Sequence, residues 1–155
     1  MSEEINQTQT IAVQADGSFK PLVEAPVQTA SIPTDPAKVE AAKEIFARYA
    51  YHVDALKYEQ ADLLFPETAD LFLTKVILCS INDQQKDQQL ELAKSAIDMG
   101  ADINKVFEDK SGYFRFDSIY NLQSVLLIPE TANKFFSKLL SAGIRDKDKP
   151  KQLEL

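Results

Sequence analysis

The chain has 155 residues, 45% hydrophobic and 26% charged, with 4 Gly and no Trp, a balance that fits one globular domain and excludes wholesale disorder or a fibrous repeat. Its 17 Lys and Arg against 24 Asp and Glu give a net charge of −7, the wrong sign for a surface that tracks phosphate backbones, so nucleic acid is not an expected partner. One cysteine, Cys79, excludes an internal disulfide, and one histidine, His52, excludes a multi-His metal site.

The start, Met1-Ser2-Glu3-Glu4, is acidic, lacks a basic and apolar leader, and has Ser where myristoylation needs Gly. The longest apolar runs, such as Val76-Ile77-Leu78-Cys79, fall far short of a membrane span. A cytoplasmic protein, or one built into a particle assembled in the cytoplasm, is expected, with no membrane partner.

Residues 1–35 form an extended polar arm. They hold five acids against Lys20 alone, are rich in Gln, Thr, Ser and Pro, and show no helical apolar period. Within the arm, Ile11 and Val13 alternate with polar residues, Asp16-Gly17 supplies a two-residue turn, and Phe19 and Leu22 follow, which reads as a small β-hairpin. A polar tail with a chance Asp-Gly is the alternative. Two strands alone are marginal in water, so such a hairpin needs a surface to lie on. Ile11, Val13, Phe19 and Leu22 are then the candidate anchors to a partner.

A helical body spans residues 36–148. Asp35 followed by Pro36 is a strong helix start, because the carboxylate can cap free N–H groups and proline has none to leave unpaired. Val39, Ala42, Phe46, Tyr49, Val53, Leu56 and Leu63 follow at spacings of three and four, with Gln60 as the polar break, predicting one long helix over about 37–64 that ends before Pro66. The heptads suit packing on the chain's own domain, or a homo-oligomer seam along this helix.

The most specific signal is internal. Residues 60–81 and 123–144 align without gaps at an offset of 63, with ten identities in 22 positions, among them Pro66-Glu67-Thr68-Ala69 with Pro129-Glu130-Thr131-Ala132. This predicts two helix-Pro-helix units in which proline opens the second helix. Their buried faces are expected to be Ala69, Phe72, Leu73, Val76 and Ile77 in one and Ala132, Phe135, Phe136, Leu139 and Leu140 in the other. A further helix, about Lys86 to Met99, carries Leu90, Ala93 and Ile97 on one face.

That helix closes on Gly100-Ala101-Asp102-Ile103-Asn104, which resembles the end of an ankyrin repeat. Gly100 suits a left-handed position just past the helix, and Asp102 and Asn104 can bond backbone in a turn. Glu108 to Tyr113 and the segment Leu139 to Asp148 resemble further parts of the same family. The Thr-Pro-Leu-His tetrapeptide is absent, and ankyrin phasing conflicts with the 63-residue repeat, so an unrelated helical bundle stays open. The resemblance implies a protein-binding scaffold without catalysis.

Candidates for chemistry are few. His52 has no second ligand nearby, and Cys79 sits in an apolar helix where a small hydrophobe is the ordinary reading. The acids from Asp102 to Asp109 miss calcium-loop spacing, since the sixth and twelfth positions are Phe107 and Tyr113. No Gly-rich phosphate loop occurs, and no cofactor or metal is expected. Tyr113, Phe114, Arg115, Phe116 and Tyr120 concentrate aromatic and guanidinium groups of the kind enriched at protein interfaces. Tyr113, Arg115 and Tyr120 are the partner-binding candidates, while Phe114 and Phe116 equally suit a seal on the core. The run 149–155 reads as a charged, solvated tail.

The expected function is that of a non-enzymatic interaction or assembly subunit, docking on a larger complex through its arm and its helical body. Such arms occur in multi-subunit shells, including those of virions. The alternative is an acidic inhibitor or immunity-type protein that masks a basic partner.

Overall fold

The computed structural model describes residues 33–48, 52–108 and 114–154. The expected hairpin with Ile11, Val13, Phe19 and Leu22 lies outside the described residues, as do Tyr49 and Tyr113. Among the described residues every regular element is helical. α1 (Pro36–Arg48) starts as its sequence dictates, with the Asp35 carboxylate accepting the Ala37 N–H at 2.9 Å. α2 (Val53–Tyr58), α3 (Gln60–Leu63) and α4 (Ala69–Leu78) follow. A 3₁₀ turn (Asp83–Gln85) then leads into α5 (Lys86–Asp98). α6 (Ile103–Glu108), α7 (Phe116–Asn121), α8 (Gln123–Leu126) and α9 (Ala132–Ser141) come next, and a second 3₁₀ turn (Asp146–Asp148) leads into α10 (Lys149–Gln152).

The long helix expected over 37–64 is not continuous. His52 is extended (φ −99°, ψ 148°), and α2 starts after it with Val53 and Leu56 fully buried. α2 packs on α5, whereas α1 packs on α3 and α4. No Gly or Pro marks this break; burial of two separate apolar faces outweighs helix propensity, which is a weak preference summed over few residues. The heptad side chains Val39, Ala42, Phe46, Val53, Leu56 and Leu63 are all buried within the chain, so a dimer seam along them would have to open this core.

The 63-residue correspondence extends well beyond the 22 positions visible as a sequence match. α2, α3, α4 and the first 3₁₀ turn recur, boundary for boundary, as α7, α8, α9 and the second 3₁₀ turn. The joints share their backbone angles: Glu59 (φ −94°, ψ 6°) matches Leu122 (−98°, 7°), and Thr68 (−112°, 0°) matches Thr131 (−114°, −5°). Aligned on this frame, residues 53–92 and 116–155 are identical at seventeen of forty positions. α6 repeats α1 at a slightly different offset, with Ile103, Val106 and Phe107 in the places of Ala42, Ile45 and Phe46. The edge-to-face pair Phe46 and Phe72 (centroids 6.3 Å apart) has its counterpart in Phe107 and Phe135 (6.2 Å). The body is thus two copies of one multi-helix unit.

One detail of the sequence reading is corrected at the joints. Pro66 and Pro129 do not open the next helix; each lies in a turn, and α4 and α9 begin three residues later, after Thr68 and Thr131. The threonine hydroxyls close these turns, with Thr68 Oγ1 donating to the Leu63 carbonyl at 2.6 Å and accepting the Phe65 N–H at 3.0 Å.

A single apolar core runs from α1 to α9, with α4 at its centre against α1, α5, α6 and α7. Fully buried side chains such as Leu56, Phe72, Leu92, Ile119 and Phe135 each contribute roughly 1.5–3 kcal/mol of burial free energy. The buried face of α5 differs from the one expected: Leu92, Ala93, Ala96 and Gln89 are inside, while Leu90 and Ile97 are only partly covered. The Gln89 Nε2 donates to the Val76 carbonyl at 2.8 Å, while among the described residues its buried Oε1 has no hydrogen-bond partner. α5 ends as its sequence predicts. Gly100 takes φ +106°, its N–H bonds to the Ile97 carbonyl, and the Ala101 N–H reaches back to Ala96, both at 2.9 Å.

Candidate functional site

Two surface features stand out once the two copies are laid over one another. The first is a cleft of about 480 Å³ where the segment after α4 faces α7 and the second 3₁₀ turn. Ile81, Asn82, Asp83 and Lys86 form one side, Arg115, Asp117, Tyr120 and Asn121 another, and Arg145, Lys147, Asp148 and Lys151 the third.

Its charges are arranged around one guanidinium. Arg145 Nε donates to Asp148 at 3.0 Å while its Nη2 is bonded to Asp117, so one cation holds two carboxylates. Asp148 is almost wholly buried. In the first copy the same three positions are Asn82, Asp54 and Gln85, and there the Gln85 side chain donates directly to Asp54 at 2.9 Å. Replacing Gln85 by Asp148 would set two carboxylates face to face, and the change from Asn82 to Arg145 supplies the charge that separates them.

On the opposite wall Lys86 pairs with Asp83 at 2.8 Å. The hydrogen bond from Lys86 holds the Asp83 carboxyl below its ordinary value, and the nearby Lys151 and Lys147 add to this through space. Arg115 Nη1 donates to Ser80 Oγ at 2.6 Å, and Lys151 lies over the Tyr120 ring at 5.4 Å. Among the described residues no ion pair ties Arg115, Lys147 or Lys151 to a carboxylate.

The sequence candidates Arg115 and Tyr120 therefore line one cleft, while Tyr113, Ile11, Val13, Phe19 and Leu22 lie outside the described residues. Phe114 and Phe116 are buried in the core, Phe114 against Phe107 and Phe116 stacked on Tyr120. Lys151 belongs to the run 149–155 expected to be a solvated tail, yet it lines the cleft together with Lys147. Only the repeat frame, extended past Ile144, brings them beside Arg115.

The second feature is apolar. Leu73 and Ile77 of α4 are fully buried, but their counterparts on α9, Phe136 and Leu140, are 38% and 70% exposed. This corrects the expectation that both helices bury like faces. α4 is flanked by α1, α5, α6 and α7, whereas α9 packs chiefly on α6 and α7; the thirteen-residue α5 has the four-residue α10 as its counterpart. α9 carries Lys134 and Lys138 and no carboxylate.

Other candidate groups carry structural roles. Cys79 is buried, and burial pushes its thiol up to about 12 against a weaker opposing effect of Lys75. Asp102 caps α6, accepting the Asn104 N–H at 2.9 Å, while its own N–H donates to Asp70. Among the described residues no group of three His, Cys, Asp or Glu side chains could hold a metal ion, and no helix is long and apolar enough to cross a membrane. Compared with protein-family models, with curated proteins and with solved structures, the chain matches none.

Proposed function

We propose that this protein is a non-enzymatic interaction subunit of a larger assembly, and that a partner's amphipathic helix docks on the open face of α9. The observation that carries this reading is the inequality between the copies. At two positions where α4 is covered, α9 presents Phe136 and Leu140 to solvent. In stacked-helix proteins an end unit needs a polar cap or a neighbour. α1 caps the first end with Lys38, Glu40, Lys43 and Glu44 outward, and among the described residues no helix covers Phe136 and Leu140 of α9 in the same way. The occupant is read from α5, which flanks α4 with a stripe of Leu92, Ala93 and Ala96 and carries Asp87, Glu91 and Asp98 beside Lys86 and Lys94. A helix of that type, apolar on one side and with carboxylates at its margins, complements α9, which has no carboxylate of its own and whose Lys134 pairs with Glu108 and Lys138 lies over Phe114. The N-terminal arm, with Ile11, Val13, Phe19 and Leu22, adds a second attachment in this reading, which rests on its sequence and on the ankyrin-like resemblance of the body.

Wild-type protein and the Phe136→Ser/Leu140→Asp variant, checked for equal melting, would be used to capture partners from the native source. The expected result is a protein retained by wild type and lost at least tenfold by the variant. A cross-linker on Leu140→Cys should map to an acidic amphipathic helix within that protein. Equal capture by both forms would overturn the reading, and so would a dimer that depends on Leu140 in light scattering, since the occupant would then be a second copy.

A further inference from the structure

We propose that the cleft between the first and second 3₁₀ turns binds a small polyanion of the diphosphate class. The two copies of the unit supply an internal control for this inference. In the first copy the positions equivalent to Arg115, Arg145, Lys147 and Lys151 are His52, Asn82, Gln84 and Gln88. The same backbone forms in both copies, with His52 and Arg115 both extended and with the 3₁₀ turn followed at once by a helix. A histidine and three amide side chains are therefore sufficient for the fold, and the four cations answer no structural need shared by the copies.

One of the four has a local explanation, because Arg145 bridges Asp117 and Asp148, a group that keeps one net negative charge. Arg115 donates to Ser80 and Lys151 lies over Tyr120, but among the described residues Arg115, Lys147 and Lys151 have no ion pair with a carboxylate. They converge on a cleft that Lys86 and Asp83 complete as a neutral pair, leaving an excess of positive charge on a chain whose net charge is −7. Cations held near one another repel, and an anion seated among them removes that repulsion while gaining charge-assisted hydrogen bonds.

The dimensions narrow the ligand. A cavity of about 480 Å³ is of the size that takes small molecules, and its walls are polar and charged, unsuited to an apolar ligand. A second recess of about 210 Å³ adjoins it, lined by Arg115, Phe116, Asp117, Gly143, Arg145 and Asp148, so two arginines and two carboxylates stand where the recesses meet and the lysines stand beyond in the larger one. Cations distributed along a cleft in this way suit an anion with more than one charged group over a single phosphate. Side chains would hold the phosphates, which is consistent with a chain that has no Gly-rich loop. The proposal is independent of docking at α9.

Calorimetric titration of the full chain with pyrophosphate and with orthophosphate at low salt tests it. The variant Lys147→Gln/Lys151→Gln introduces a first-copy residue at position 147 and at position 151, so the fold should hold and melting without ligand should be unchanged. Pyrophosphate is expected to bind wild type at least tenfold more tightly than orthophosphate, and at least tenfold more tightly than it binds the variant. Arg115→His should weaken it in the same direction. Pyrophosphate binding that is equal in wild type and variant, or absent at millimolar concentration, would overturn the proposal.

Discussion

Thr68 and Thr131 stand 63 residues apart and close the same turn with the same bonds. Thr68 Oγ1 donates to Leu63 at 2.6 Å and Thr131 Oγ1 to Leu126 at 2.7 Å, and each hydroxyl accepts the N–H of the residue three places earlier. Both threonines are buried, so replacing either by Val leaves a buried carbonyl and a partly buried N–H without this partner. Each substitution should cost about 1–3 kcal/mol in urea denaturation, and Ser at either position should recover most of it. A large loss at one site and none at the other would mean that the two joints are not energetically equivalent.

Gly100 lies in open space, where an added Cβ would meet nothing within 4 Å, yet its φ of +106° is one that L side chains rarely adopt. Gly100→Ala should therefore destabilise by roughly 1–2 kcal/mol through the backbone alone. An unchanged melting temperature would show that the turn after α5 has another conformation available.

The bridge made by Arg145 predicts a reversible pair of substitutions. Arg145→Asn, which installs the first-copy residue, leaves the nearly buried Asp148 without its cation and should cost about 1–3 kcal/mol. Adding Asp148→Gln restores the first-copy arrangement, in which an amide donates to the single remaining carboxylate, and should return most of that loss. A double variant no more stable than Arg145→Asn would separate the two residues energetically.

Cys79 should resist thiol reagents at pH 8 in the folded protein and react at once in urea. Its thiol is raised from 9.0 to about 12 in the fold, so the unfolded chain releases the proton first. The sign follows: its contribution to stability is complete below pH 9 and declines as pH rises from about 9 to about 12. Cys79→Ala should remove that alkaline component from the pH profile, measured as the urea midpoint across this range.

Local chemistry made several elements legible in the amino-acid sequence alone. The Asp35-Pro36 start, the end of α5 at Gly100 and the repeated joint around Pro66 and Pro129 depend on interactions a few residues apart, which residue type and spacing specify. The two-copy organisation is legible in the ungapped match of Gln60–Ile81 with Gln123–Ile144, and the identities continue to Leu92 and Leu155 with six in the next eleven positions. Tertiary structure alone decided the rest. The break at His52 has no breaker residue, because it comes from Val53 and Leu56 packing on α5 while α1 packs elsewhere. Phe136 and Leu140 carry the same apolar pattern as Leu73 and Ile77, and only the elements flanking each helix determine which pair is covered. The cleft joins Lys86, Arg115, Arg145 and Lys151, residues dispersed along the chain, and nothing in their spacing reveals that they meet. Periodicity specifies which side of a helix is apolar; what lies against that side depends on where distant segments pack.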